Sequence, residues 1–267
     1  MSVIVIGDKA VGKTSMLWAL CDLPPNRYGE KYIEISDDDR QKLKDAWVDP
    51  TSGKAIPTEK PFELKSIEMY LRLPRPREIQ VQLTDTRGEF WSDPQMQLDY
   101  PTAYQDYKKT IANARYIVFV LHPPEALVRR EYLSIYDPHG EIYMGDGLYS
   151  SSAWLNKLKE TLDFFSQNCK LARHFFICMH KADLFCDFNN ESARWRYKPS
   201  GGNDFSGFIA RVRNRYFDIA NDLIFEFNKR NGSVSKLSFF ITTNQDRNLL
   251  EIPWLCLGTY LVQDAED

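Results

Sequence analysis

The apolar positions along the chain change period several times, and each change marks an element. Val3-Ile4-Val5-Ile6 is an unbroken apolar run at the start, the pattern of a strand buried on both faces. A glycine-containing turn follows, then a helical stretch over about 13–23 that Pro24-Pro25 ends. Ser36, followed by three aspartates, reads as a cap and an acidic first turn, so a short helix is expected from there to Trp47. Ile67, Met69, Leu71 and Leu73 alternate with polar residues, as do Ile79, Val81 and Leu83. With Pro74-Arg75-Pro76-Arg77 between them, the two runs predict a hairpin and hence one antiparallel strand. Tyr104, Tyr107, Ile111 and Ala114 return to helical spacing.

The second half repeats strand, helix, strand, helix, strand. Its strands are expected at 116–121, 174–179 and 237–241. Trp154, Leu155, Leu158, Leu162 and Phe165 stripe one helix. One long amphipathic helix is expected from Phe205 to Phe227. Such alternation predicts an α/β fold of three layers: a mostly parallel six-stranded sheet with one antiparallel strand and helices on both faces. Three polar stretches, near 22–57, 125–151 and 188–204, interrupt the pattern and read as insertions into a single domain spanning 1–267. After Asn244, Pro253 argues against a long final helix, while Trp254, Leu255, Leu257 and Leu261 need an apolar surface to cover them.

Composition narrows the classes. The chain has 267 residues, of which 43 % are hydrophobic and 27 % charged, so it has the means to form a core. A formal net charge of −3 argues against nucleic-acid binding through bulk positive charge. The 13 % aromatic content and the segment Arg194-Trp195-Arg196-Tyr197-Lys198 leave an aromatic stacking surface as a rival reading. No apolar run approaches a bilayer span, and neither end carries a leader or lipidation pattern, so no membrane insertion or lipid anchor is expected. Five cysteines without a Cys-x-x-Cys pair predict a reduced, cytoplasmic setting.

The turn after the first strand carries the chemistry. Gly7-Asp8-Lys9-Ala10-Val11-Gly12-Lys13-Thr14 matches G-x-x-x-x-G-K-[ST], and a strand precedes it and a helix follows, as that motif requires. Its glycines let backbone N–H groups curl toward phosphate oxygens, and the helix N-terminus adds partial positive charge. Lys13 would reach the β- and γ-phosphates, the Thr14 hydroxyl would ligate Mg²⁺, and Ser15 completes the first turn.

Four further segments follow in order. Asp85-Thr86-Arg87-Gly88-Glu89 ends the strand of Val81 and Leu83; Asp85 could hold Mg²⁺ through water and the Gly88 N–H could meet a γ-phosphate. His180-Lys181-Ala182-Asp183 ends the strand at 174–179. A carboxylate there accepts two bonds from guanine N1–H and N2–H₂, a donor pair adenine lacks, and the Lys181 stem can lie over the base. Thr242-Thr243-Asn244 ends the last strand, where a backbone N–H could contact guanine O6. Thr58, in Ile56-Pro57-Thr58, could meet Mg²⁺ and the third phosphate together; Thr51 is the rival.

On these residues the chain resembles the Ras-like G domain of the translation-factor-related GTPase class, over most of its length. The Ile-Pro-Thr and Gly-Glu segments are similar to divergent bacterial G domains. The resemblance implies GTP/GDP and Mg²⁺ as cofactors, slow hydrolysis, two switch segments around Thr58 and Asp85, and a protein effector or regulator as partner. It implies phosphate contacts from the 7–15 segment and guanine contacts from His180, Lys181, Asp183, Thr243 and Asn244. Thr14, Thr58 and Asp85 would serve the metal. Lys13, Thr58, Gly88 and Glu89 would serve catalysis. Three residues depart from the family pattern: Glu89 in place of the water-positioning glutamine, Lys9 in place of a glycine, and His180 in place of an asparagine. They keep open a nucleotide-binding scaffold with little turnover. An ATPase or kinase on the same loop is the third reading, which Asp183 opposes.

Overall fold

A computed structural model describes residues 2–7, 11–47, 62–73, 77–86, 94–136, 149–231 and 236–264. In chain order the elements are β1 (Ser2–Gly7), α1 (Lys13–Asp22), β2 (Ile33–Ile35), α2 (Asp37–Trp47), β3 (Phe62–Leu71), β4 (Arg77–Thr86), α3 (Pro94–Asp99), α4 (Pro101–Ala112) and β5 (Tyr116–Leu121). They continue with α5 (Arg130–Tyr136), α6 (Ser151–Asn168), β6 (His174–Met179), α7 (Phe188–Ala193), α8 (Phe205–Tyr216), α9 (Asn221–Asn231), β7 (Lys236–Ile241) and α10 (Arg247–Gln263).

The strands form one sheet in the order β2-β3-β4-β1-β5-β6-β7. β1 lies parallel to both β4 and β5, and β5, β6 and β7 continue in parallel. β3 runs against β4 from Phe62↔Thr86 to Leu71↔Arg77, so it is antiparallel to the rest, as the alternation predicts. Every residue of β5 and β6 is buried, which requires helices on both faces. The chain builds to one side of β1 through β4 and then crosses to β5 on the other side. That reversal is a switch point in the strand order, and open α/β sheets bind ligands in the crevice at the C-terminal ends of the strands beside such a point.

Four expectations need correction. The sheet has seven strands, because Ile33–Ile35, inside the first supposed insertion, adds an antiparallel edge to β3 at Leu71, Tyr70 and Met69. Three residues are too few to show a period, so no sequence signal marked them. The single long helix from Phe205 to Phe227 is broken at Phe217, which has φ −124° and is buried against Trp154 and Phe239. A single turn over Asp218–Ala220 then restarts the chain into α9.

The final helix does form and runs through Pro253. Proline forfeits one helical bond, but α10 has tertiary cover: Leu249, Leu250, Ile252, Trp254, Leu255 and Leu257 are all fully buried. Its Gly258 lies where a Cβ would stand 2.7 Å from a methyl of Leu71. The apolar tail therefore packs on its own sheet. Finally, the 188–204 insertion is less polar in place than in composition. Trp195 packs on Phe205 and Phe208, and Tyr197 meets Tyr32 edge-on at 4.8 Å. Both rings are buried and unavailable as a stacking platform for bases.

Helix starts follow the sequence. Ser36, Ser150, Asp187, Asp204 and Asp246 each accept a bond from the backbone N–H three residues on, at 2.8–3.4 Å. All five cysteines are buried and free. Among the described residues no helix is long and apolar enough to cross a membrane.

Candidate functional site

The crevice begins at Gly7, the last residue of β1. A Cβ there would sit 2.2 Å from the Val120 carbonyl oxygen of β5, so only glycine permits the two strands to lie this close. The loop returns at Gly12, whose φ of 97° and ψ of 25° are left-handed, a second position that favours glycine. Val11 before it is buried. α1 starts at Lys13, and the first helical bond runs from the Met16 N–H to the Gly12 carbonyl at 2.8 Å. Lys13 is only 6 % exposed, and its Nζ donates to the Gly7 carbonyl at 3.0 Å. The ammonium thus ties the two ends of the loop together. Thr14 and Ser15 stand half-buried on the same first turn. The positive end of α1 and the Lys13 charge therefore share one spot at the strand ends.

The second half of the site is held together by backbone bonds between the ends of β5, β6 and β7. The His180 N–H donates to Leu121 at 2.9 Å, Thr242 N–H to Met179 at 2.9 Å, and Ala182 N–H to Thr242 at 3.0 Å. Lys181 takes φ 61°, the one non-glycine among the described residues in the left-handed region. Such strain persists only where the surroundings impose it. Burial also pulls the Lys181 pKa down, against the opposing charge of Asp183.

Asp183 is held at both oxygens. Thr243 Oγ1 donates to Oδ1 at 2.5 Å, and Gln245 Nε2 donates to Oδ2 at 3.2 Å. The Gln245 N–H in turn donates to Thr243 Oγ1 at 3.2 Å. Beside them the Asn244 Oδ1 is buried without a hydrogen-bond partner among the described residues.

One side chain joins the two halves. The His180 imidazole hydrogen-bonds through Nδ1 with Thr242 Oγ1 at 2.9 Å, and its Cδ2 and Nε2 press on Gly12, 3.0 and 3.1 Å from where a Cβ would be. Burial first, then the neighbouring charges of Lys181 and His122, push its pKa down to about 3. The ring is therefore neutral at pH 7 and adds no charge behind the phosphate loop.

Behind this crevice, a buried ion pair fixes α10 to the elements it covers. Arg247 Nε donates to Glu251 Oε1 at 2.8 Å, one helical turn away. Its other nitrogens cap the end of α1 at the Leu20 and Leu23 carbonyls and reach the Ile33 carbonyl of β2. Glu251 accepts from the backbone N–H groups of Tyr32 and Ile33. Burial raises the Glu251 pKa, and the Arg247 charge opposes the shift. The two insertions also grip each other, since Arg196 donates twice to Glu30 and lies 4.3 Å over the Tyr28 ring.

The structure thus brings together Gly7, Val11, Gly12, Lys13, Thr14, Ser15, His180, Lys181, Asp183, Thr243 and Asn244 at one edge of the sheet. Asp85 belongs to the same edge by register: Leu83 pairs with Val5, and Asp85 lies as far beyond Leu83 as Gly7 lies beyond Val5. Asp8, Lys9, Ala10, Thr58 with its rival Thr51, Gly88 and Glu89 lie outside the described residues. Sequence reasoning placed Thr242 in the final turn but missed the bond of its hydroxyl to His180, and it missed the Gln245 amide, which lies one residue past that turn. It also missed the Arg247–Glu251 pair, although two opposite charges four apart inside an apolar helix are a readable signal.

No protein-family model matches this chain, and no curated protein matches it. Solved structures do. One is a signal recognition particle receptor SRb-GTP/SRX complex from Chaetomium thermophilum, at 15 % identity, TM-score 0.42, over 95 % of this chain and 97 % of that one. A second is a probable GTP-binding protein engB, at 11 % identity, TM-score 0.38, over 97 % of each chain. A third is a GTP-binding protein from Sulfolobus solfataricus in complex with GDP, at 13 % identity, TM-score 0.39, over 96 % of this chain and 51 % of that one. Identities and scores this low leave the functional reading to the residues themselves.

Proposed function

We propose that this chain is a GTP-binding molecular switch with slow Mg²⁺-dependent hydrolysis that signals to a protein effector. The observation that carries the reading is the contact of His180 with Gly12. Through it the glycine loop after β1 and the turn that carries Asp183, far apart in sequence, lie side by side. In this reading residues 7–15 cradle the phosphates, with Lys13 as the charge on the β- and γ-groups. Asp183 accepts from the guanine N1–H and N2–H₂. The Lys181 stem covers the base, and the Thr243–Asn244 turn supplies a backbone donor.

A hard divalent cation takes oxygen ligands. Thr14 at the head of α1 offers a hydroxyl, and Asp85, whose backbone reaches the same level of the sheet, is a carboxylate residue; both are donors of that class, so the residues present fit Mg²⁺. Thr58 would join them when a third phosphate is present. Bound there, the metal would neutralise charge on the phosphates. Lys13 would steady the same charge, Gly88 would donate to the γ-phosphate, and Glu89 would orient the attacking water. A cytoplasmic setting and a single G domain with insertions complete the proposal.

The test is to denature the purified protein and identify the nucleotide it releases, then compete GTP against ATP. Guanine nucleotide and a strong preference for GTP are expected. Equal competition by ATP would remove the Asp183 role. The second reading, a nucleotide-binding scaffold with little turnover, is motivated by Lys9, Glu89 and His180. A single-turnover rate abolished by Glu89→Ala would eliminate it.

A further inference from the structure

Asp183 already carries a donor on each carboxylate oxygen, and the two donors differ in how freely they can leave. Thr243 has no exposed surface, and its hydroxyl also accepts the Gln245 N–H. Gln245 is exposed, and among the described residues its amide is the hydrogen-bond donor to Oδ2, at 3.2 Å. The hydroxyl and the amide together present to the carboxylate one N–H or O–H per oxygen. Guanine presents the same arrangement through N1–H and N2–H₂. Oδ1 faces the interior through Thr243, whereas Oδ2 is covered from the solvent side by a surface side chain. A base entering from solvent therefore meets Gln245 first.

We infer that Gln245 is a positioning residue for base selection, a placeholder whose carboxamide occupies the Asp183 oxygen that the exocyclic amine of guanine would take. This rests on the guanine reading above. In the free protein the amide spares Oδ2 an unpaired state. A guanine base exchanges one donor for another at Oδ2 and gains its N1–H bond at Oδ1. A base without the exocyclic amine, such as hypoxanthine, makes only the N1–H bond and leaves Gln245 in place. The placeholder thus narrows the gap between the two bases: guanine binding alone requires that the amide be displaced.

The consequence is specific. Gln245→Ala removes the competing donor and leaves the backbone bond from residue 245 to Thr243 intact. The variant should bind GTP about three- to tenfold more tightly than the parent, the scale of one net hydrogen bond, with ITP affinity changed little. The GTP-over-ITP preference should therefore rise by about the same factor. Equilibrium titration of both nucleotides on the parent and the variant reads this directly, with the thermal midpoint of each protein as the check on folding. Unchanged preference in a variant that binds GTP overturns the placeholder and leaves the guanine reading standing. So does an equal loss for both nucleotides, which would make Gln245 a prop for the loop. If the folded parent binds neither nucleotide, the guanine reading itself falls and the placeholder with it.

Discussion

The contact between Gly12 and His180 makes a quantitative prediction that needs no ligand. Gly12→Ala imposes two separable costs. The first is local, because an alanine at φ 97° is in the left-handed region, worth about 1 kcal/mol. The second is a collision, because the new Cβ would stand 3.0 Å from Cδ2 and 3.1 Å from Nε2 of His180. That ring is buried and tied to Thr242 Oγ1, so it can yield the few tenths of an ångström required only by straining that bond, at a cost of about 1–3 kcal/mol if the bond is lost. Together Gly12→Ala should lose roughly 2–4 kcal/mol of stability.

His180→Ala carries its own cost but opens the space. In the double variant only the backbone cost of an alanine at position 12 should remain from the first substitution. The coupling between the two should therefore be about 1–3 kcal/mol, well above the scatter expected of independent sites. Urea unfolding of the four proteins at about pH 7.5 without nucleotide measures it from the midpoints at common slope. Effects that add to within about 0.5 kcal/mol would refute the contact, and with it the claim that phosphate loop and base turn meet.

Lys13→Ala removes the charged donor that bridges to the Gly7 carbonyl, and GTP affinity should fall by about ten- to a hundredfold, the scale of a charge-assisted hydrogen bond, as read by titration. Arg247→Met leaves Glu251 buried without its charge partner and the Leu20, Leu23 and Ile33 carbonyls without the guanidinium donor; about 3–5 kcal/mol should be lost in chemical denaturation, and Arg247→Met with Glu251→Leu should recover part of it. His174 and His180 have pKa values pushed by burial to about 4 and about 3, from 6.5. Below pH 6.5 the unfolded chain takes up protons that the folded one refuses, so stability is full above that pH and falls as pH drops toward 4, by roughly 3 kcal/mol for His174 alone. His174 stacks between Tyr116 and Tyr260, and its Nδ1 has no hydrogen-bond partner among the described residues. His174→Phe should therefore flatten the pH slope of the unfolding midpoint between pH 6.5 and 4; an unchanged slope would show that the ring is not buried neutral.

The fold was legible in the sequence wherever structure is set by near neighbours. The run Val3-Ile4-Val5-Ile6 is a strand because a doubly covered parallel strand tolerates no polar residue. Gly7 to Thr14 reads as a glycine turn running into a helix because backbone curvature and helix start are local demands, and Ser36 marks a helix start for the same reason. What tertiary structure alone decided is long-range. Ile33–Ile35 became a strand because β3 had an edge to fill, and the Arg247–Glu251 pair was there to take its backbone groups. Pro253 failed to stop α10 because burial of the apolar residues around it outweighs one missing bond. The Phe205 to Phe227 pattern broke at Phe217 because that ring is buried between Trp154 and Phe239. The meeting of Gly12 with His180, and of Asp183 with Gln245, follows from strand order, which no local periodicity encodes: the sheet places β1 beside β5 and β5 beside β6, and the ends of those strands then share one edge.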